Sequence, residues 1–178
     1  MNFPLLSLAS KPAYRWWIYG AVSTGTFISV LEQSATSIVI PRIAEDFGTD
    51  IPTVQWLAIG YMLCVSALMM PAGAIADMLG RRRVWIWGLV LFAAASLITS
   101  FSTNFGMVLS GKILMGVGAS VAQANGMAMI ARAFPDSERG RAAGLHMTVV
   151  GIGAVGGPVV GGGIDSLLDW RAIFVFIA

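Results

Sequence analysis

Gly73-Ala74-Ile75-Ala76-Asp77-Met78-Leu79-Gly80-Arg81-Arg82-Arg83 packs one acid and three consecutive bases into a few residues between two nearly uncharged apolar runs. Charge confined to a short connection between long apolar segments is the pattern of two membrane-spanning helices joined by a tight turn. Gly80 suits a turn that needs φ > 0, and Gly73 suits the close approach of another helix. Three arginines at the end of a span place that turn on the cytoplasmic side.

Composition agrees. Hydrophobic residues are 57% of the 178 and charged residues 11%, with a mean hydropathy of +0.79. A soluble domain of this length has too little interior to hide so much apolar surface. The chain therefore reads as an all-α integral membrane protein. Its net charge of +2 does not point to nucleic acid, because the positions of the bases carry the information rather than their sum. Cys64 is the only cysteine, so no intramolecular disulfide can form, and a zinc site would need other ligands. No cofactor is implied. The apolar run after Lys11 and Arg15 is too long for a cleavable signal peptide and lacks a small-residue cleavage pattern.

A hydrocarbon core about 30 Å thick needs about 20 residues of helix. Measured against that length, the apolar runs give five complete spans: Trp16–Ile40, Val54–Ala76, Val84–Phe101, Phe105–Ala131 and Ala142–Ile164. A sixth begins at Ala172 and is too short to cross, so the chain reads as truncated. Residues 1–15 are then a cytoplasmic N-terminal segment, and residues 16–178 a transmembrane bundle cut short in helix 6. Pro41 is expected to end the first span, and Pro52 to open a helical turn before the second.

With the N-terminus inside, Lys11, Arg15, Arg81, Arg82, Arg83, Arg132, Arg139 and Arg141 are cytoplasmic. Only Arg42 and Arg171 fall outside, accompanied by Glu45, Asp46, Asp50, Asp165 and Asp169. That bias predicts a multi-pass protein of the cell (inner or plasma) membrane, with the lipid bilayer as its first partner. Trp16, Trp17, Trp85 and Trp87 are expected at the inner interface and Trp56 and Trp170 at the outer one. Arg132, Arg139 and Arg141, with Asp136 and Glu138, read as a solvated loop.

Glu32 lies within the first span, and Ser29, Gln33 and Thr36 share its helical face. A charge at mid-bilayer costs about 2.5–3.5 kcal/mol on insertion scales, so it should face a cavity or a partner. It reads either as a functional carboxylate or as a protonated structural one. Lys112 is the one base within a span, about 10 Å below the outer end of its helix, and Glu32 is about 13 Å below the same surface. Equal depth favours pairing over snorkelling to the interface. Gln123 falls on the Lys112 side of that helix. Gly153, Gly157 and Gly161 recur every four residues and make a flat stripe for close helix packing, interrupted by Pro158, where the helix can bend. A phosphate-binding loop is excluded here, since no strand precedes the run and no Gly-Lys-Ser/Thr follows it. His146, one turn inside the cytoplasmic end of helix 5, reads as an interfacial residue or as a proton carrier. The ten methionines read as packing or lipid-facing residues that would also suit a promiscuous pocket.

The Gly73–Arg83 stretch resembles the G-x-x-x-D-x-x-G-R-R loop between helices 2 and 3 of the major facilitator superfamily of secondary transporters, with Met78 where the family usually has Arg or Lys. Leu31–Pro41 is similar to the helix-1 pattern of its drug:proton antiporters, with Glu32 for Asp, and Leu109–Ala119 to the helix-4 proton-transfer motif, with Lys112 for Arg. Gly153, Gly157, Pro158, Gly161 and Gly162 resemble the helix-5 antiporter motif. The resemblance implies the N-terminal six-helix bundle of a major facilitator fold. It implies a conformational latch at Gly73, Asp77, Gly80 and Arg81, and a substrate and proton site at Glu32, Gln33, Lys112 and Gln123. It also implies a missing C-terminal half, and a proton and a small amphipathic drug-like compound as partners. An importer or metabolite exchanger of the same fold, and a membrane scaffold that moves nothing, are the other readings. A scaffold has no use for Glu32 and Lys112 within the bilayer. No metal-ligand, nucleophile or acid–base cluster in the spans suggests an enzyme.

Overall fold

The computed structural model describes residues 12–178, so Lys11 lies outside the described residues. The described residues form seven helices and no strand: α1 (Pro12–Phe47), α2 (Ile51–Val54), α3 (Trp56–Leu79), α4 (Arg81–Ser100), α5 (Phe105–Ala133), α6 (Asp136–Leu167) and α7 (Arg171–Ile177). Four stretches are long and apolar enough to cross a membrane: Ile51–Leu79, Arg81–Ser100, Phe105–Ala133 and Asp136–Leu167. α1 is longer than any of these, and its hydropathy is lowered by Glu32, Gln33 and a run of hydroxyl residues. It lies along α6 from the Ser23–His146 contact to the Ile38–Gly162 contact, about 15 residues or 22 Å of rise, and so spans the same depth.

Pro41 does not end the first helix. It sits exposed inside α1, where it removes one backbone donor, and the helix runs on to Phe47. Packing holds the added turns, because Ile43 and Ala44 are buried and Asp46 binds Arg171 of α7, the last element. The end itself is a glycine cap. Gly48 takes φ +60°, its N–H donates to Glu45 O at 3.2 Å, and Thr49 N–H donates to Ala44 O at 2.9 Å. Gly80, at φ +97°, joins α3 to α4 as a single residue, as the turn reading required. Pro52 lies in the first turn of α2. Asn104 caps α5 by accepting from Met107 N–H at 2.9 Å.

The Arg132–Arg141 region is not a loop. α6 starts at Asp136, six residues before the expected Ala142, since Asp136 and Glu138 in its first turn complement the helix dipole. Arg139 Nε then donates to Ala131 O at 2.7 Å, tying α6 to the end of α5. Arg15, Arg81, Arg82, Arg83, Arg132, Arg139 and Arg141 thus gather at one end of the bundle, hereafter the basic end; Asp46, Asp50, Asp165 and Asp169 gather at the other.

The larger core fills the acidic half, around Leu31, Val39, Leu57, Tyr61, Met115 and Phe174; a smaller cluster of Val22, Ile130, Phe134 and Ala142 closes the basic end. Side chains such as Leu63, Trp87, Val155 and Val159 point outward, as lipid-facing positions do. Trp16, Trp17, Trp56 and Trp87 are exposed among them, and Trp85 is half-buried. Trp170 departs from the belt reading. It is 1% exposed, wedged edge-on between Phe47 and Phe174, with Nε1 donating to Asp46 at 3.1 Å.

The glycine stripe is the α1–α6 seam. A Cβ on Gly157 would meet Leu31 O at 2.7 Å and Ala35 N at 3.0 Å, and one on Gly161 would meet Ala35 Cα at 2.8 Å. Gly153 sits against Phe27, and Gly162 makes ordinary contact with Ile38. Bare backbone at these positions lets the two helices run in contact, which sets the depth of every α1 side chain relative to α6. Gly73 does not behave this way. A Cβ there would meet nothing within 4 Å, because within the described residues Gly73 borders a cavity rather than a helix.

Candidate substrate and coupling site

Two polar centres lie along the inside of the bundle. The first joins α1 to α5. Glu32 is 0% and Lys112 1% exposed, and Lys112 Nζ donates to Glu32 Oε1 at 2.8 Å, Glu32 Oε2 at 3.1 Å and Thr36 Oγ1 at 3.3 Å. Thr36 Oγ1 in turn donates to Glu32 Oε1 at 2.7 Å. An ammonium has three N–H donors, and all three are used. The charge also sits over two aromatic faces, 5.0 Å from the Tyr61 ring centroid and 5.9 Å from that of Phe174. Lys112 therefore does not snorkel; its stem ends at the carboxylate.

Helix geometry explains the meeting. Glu32 and Thr36 are one turn apart on α1, and α5 runs antiparallel to it, crossing close enough that Gly126 meets Val22 at the other end. Small residues bring the remaining walls in: Gly116 of α5 packs on the Tyr61 backbone, and Gly88 of α4 on the Gly118 carbonyl. Gln33 is half-buried, and no hydrogen bond of its side chain joins the pair among the described residues. Ser29 is buried beside the pair and spends its hydroxyl on Thr26 O at 2.9 Å.

The second centre is a cavity of about 590 Å³ nearer the basic end, walled by α1, α3, α5 and α6. Thr26, Gln123 and His146 supply polar groups to it, and Met69, Met127 and Met147 supply thioethers. Gln123 belongs here and not with Lys112, from which it stands 11 residues, about 16 Å, along α5. Glu32 and Lys112 are not in the cavity wall. His146 is 5% exposed, with Nδ1 3.1 Å from Ser23 Oγ, so it is a buried residue of the α1–α6 seam rather than an interfacial one.

Asp77 and Arg81 stand at the cavity's basic edge. Arg81 Nη2 lies 2.8 Å and Arg81 Nε 2.9 Å from Asp77 Oδ1, and Arg132 Nη2 approaches the same oxygen at 3.7 Å. Met78, in the position of the family's usual base, is 85% exposed and takes no part. At the opposite end Arg171 clamps α1 to α7: Nη1 donates to Asp46 at 2.8 Å, its guanidinium lies 4.3 Å from the Trp170 ring, and Nε reaches Ser102 O at 3.4 Å. The hydrogen bond from Arg171, followed by that from Trp170, holds the Asp46 carboxyl below its ordinary 3.8.

Sequence reasoning did not single out Tyr61, Phe174 or Ser23. Tyr61 had a usable signal: it lies seven residues below Val54, as Lys112 lies seven below Phe105, so in two helices that run the same way it shares the lysine's depth. Ser23 had none, being on the face of α1 opposite Glu32 by helical count.

Residues 22–178 match the sequence pattern of the Major Facilitator Superfamily. A riboflavin transporter of Clostridioides difficile is 37% identical over 161 residues, covering 90% of this chain and 35% of the relative. A puromycin resistance protein of Streptomyces alboniger is 32% identical over 158 residues, covering 88% and 31%. A probable actinorhodin transporter of Streptomyces coelicolor is 30% identical over 173 residues, covering 94% and 30%. The chain thus spans about a third of the length of the curated relatives it matches. In fold it superposes with a TM-score of 0.81 on a bacterial homologue of the human lysosomal transporter Spinster, at 17% identity, covering 94% of this chain and 40% of that one. These likenesses make it a transporter chain and not an enzyme, and it belongs to the Major Facilitator Superfamily.

Proposed function

We propose that residues 16–178 belong to the N-terminal half of a proton-coupled carrier that exports drugs or other small amphipathic compounds. In this reading residues 1–15 and the basic end lie in the cytoplasm, and a C-terminal half completes the pathway. The observation that carries the proposal is the dry Glu32–Lys112 pair. A structural bundle would be as well served by apolar residues of similar volume, since burying an ion pair rarely adds stability. Retaining one at mid-membrane makes sense if the two groups separate in another state of the cycle. With the lysine turned away, burial favours the neutral form of Glu32, and the carboxyl takes up a proton; on re-pairing it releases it. The Asp77–Arg81–Arg132 cluster would act as a latch at the cytoplasmic edge, and the glycine stripe as a rigid seam that keeps α1 and α6 moving together. The test is proton release from purified full-length carrier on addition of puromycin. Glu32→Gln should abolish release while leaving folded protein in the membrane; release equal to the parent's would make Glu32 structural.

A second reading, transport of a vitamin-like metabolite by the same fold, is favoured by the 37% identity to the riboflavin transporter. Riboflavin counterflow in proteoliposomes separates the two.

A further inference from the structure

We infer that His146, oriented by Ser23, is a second protonatable group of this transporter, one that contacts the carried molecule, and that the molecule it selects carries no fixed positive charge. The inference rests on the reading of the chain as half of a carrier whose substrate enters the 590 Å³ cavity.

The charge inventory of the cavity leads to it. Two carboxylates come near. Asp77 of α3 is bonded by Arg81 of α4 and approached by Arg132 of α5. Glu32 of α1 is fully buried, covered by Lys112 and Thr36, and absent from the cavity wall. α1 and α5 otherwise present Thr26 and Gln123 to the space, and α6 presents His146. A cation entering the cavity therefore meets no carboxylate that is not already paired. A neutral or anionic molecule meets amide, hydroxyl and imidazole groups among methionine side chains, which suit a planar ring with polar edges.

Ser23 decides what the imidazole offers. Its hydroxyl lies 3.1 Å from Nδ1 and can either donate or accept. In the neutral tautomer in which Ser23 donates to Nδ1, the ring proton sits on Nε2. When the ring is protonated, Nδ1–H donates to Ser23, and Nε2 still carries its proton. Nε2 has no partner among the described residues, and the ring lines the cavity. In that tautomer and in the protonated ring alike, His146 holds a donor for a carbonyl or carboxylate oxygen of the ligand, and protonation turns that bond into a charge-assisted one. Such bonds are about twice as strong as neutral ones, so the His146 contact should strengthen as pH falls. Asp77 and Arg81 are the charged groups that line the cavity with the ring, and they pair with each other.

The experiment uses purified full-length carrier and two planar probes, riboflavin, which is uncharged and bears ring carbonyls, and ethidium, a fixed cation. In the Glu32→Gln carrier, where no proton is exchanged at Glu32, riboflavin should bind more tightly at pH 5.5 than at pH 8.0, and ethidium should bind at least about tenfold more weakly than riboflavin. Adding His146→Gln to that variant should keep riboflavin binding but flatten its pH dependence. Carbethoxylation of His146 in the unmodified protein, read by mass spectrometry, should be slowed by riboflavin; this arm does not depend on a variant folding. Ethidium bound as well as riboflavin, no riboflavin binding, an unchanged pH dependence once His146→Gln is added, or an unprotected His146 each overturns the inference. Loss of proton release in Glu32→Gln alongside any of those results would leave the coupling proposal standing, so the two fail separately.

Discussion

Removing Lys112 should be more damaging than removing both members of its pair. In Lys112→Met the three donors that satisfy Glu32 and Thr36 disappear, and a carboxylate with 0% exposure is left with one hydroxyl partner. Breaking a buried pair from one side costs about 3–5 kcal/mol, and Glu32→Gln, which strands the ammonium, belongs to the same range. If the sites were independent, the double variant would lose the sum, about 6–10 kcal/mol. With charge absent from both sides, the double variant should instead fall near the parent or slightly above it. Met also fits a space already walled by Tyr61 and Phe174. Unfolding of the full-length carrier in mixed detergent and dodecyl sulfate, followed by tryptophan fluorescence, gives the four free energies of the cycle. A double variant that is as unstable as the sum of the singles would refute the reasoning, because the pair would then not be an energetic unit. The double variant should be stable and yet unable to couple protons, which separates folding from function.

The glycine seam predicts a contrast. Gly161→Ala should cost about 1–3 kcal/mol through overpacking against Ala35, whereas Gly163→Ala, with nothing within 4 Å, should be neutral or stabilising in the same unfolding assay. Tyr61→Phe should be neutral or stabilising, since the buried hydroxyl has no partner among the described residues, while Tyr61→Ala should destabilise by about 3–5 kcal/mol; equal losses from the two would mean that the hydroxyl is bonded. Asp46 has its carboxyl held below 3.8 by Arg171 and Trp170, so its contribution is present above about pH 4 and is lost as pH falls below that. Asp46→Asn should therefore narrow the difference in stability between pH 6 and pH 3, and an unchanged difference would remove the Arg171 clamp as its source.

Most of the fold is written in hydropathy and punctuation. Gly80 and the three arginines mark the α3–α4 turn to the residue, because a one-residue connection leaves no alternative once both flanks are apolar. Errors arose where tertiary packing outweighed a local signal. Pro41 is a helix breaker by its own chemistry, yet losing one backbone bond is a smaller effect than burying Ile43 and Ala44 and binding Asp46 to Arg171. The same holds for Trp170, which belongs to an interfacial belt by composition and to the core by contact: its indole N–H finds Asp46 inside the bundle, and the ring fills the space between Phe47 and Phe174.

The site divides differently, and the division follows from what a helix preserves. Depth is preserved: with about 1.5 Å of rise per residue, counting from a span end brings Glu32 and Lys112 to one level even when the end of α1 is misplaced, because both helices cross the same slab. Rotation about the axis is preserved less well over long distances. Gln123 is three turns from Lys112 and on its side of α5, and it still serves a different space, the cavity that Gly73 of α3 and His146 of α6 also line. Contacts between helices far apart in sequence are not encoded locally at all. Ser23 reaches His146 only because Gly153, Gly157 and Gly161 draw α6 onto α1 along its length, so an α1 residue on the face opposite Glu32 acquires a partner through the seam. A polar pair in a membrane protein is thus best sought in two steps, first by matching depth between spans and then by asking which small-residue stripe brings those spans together.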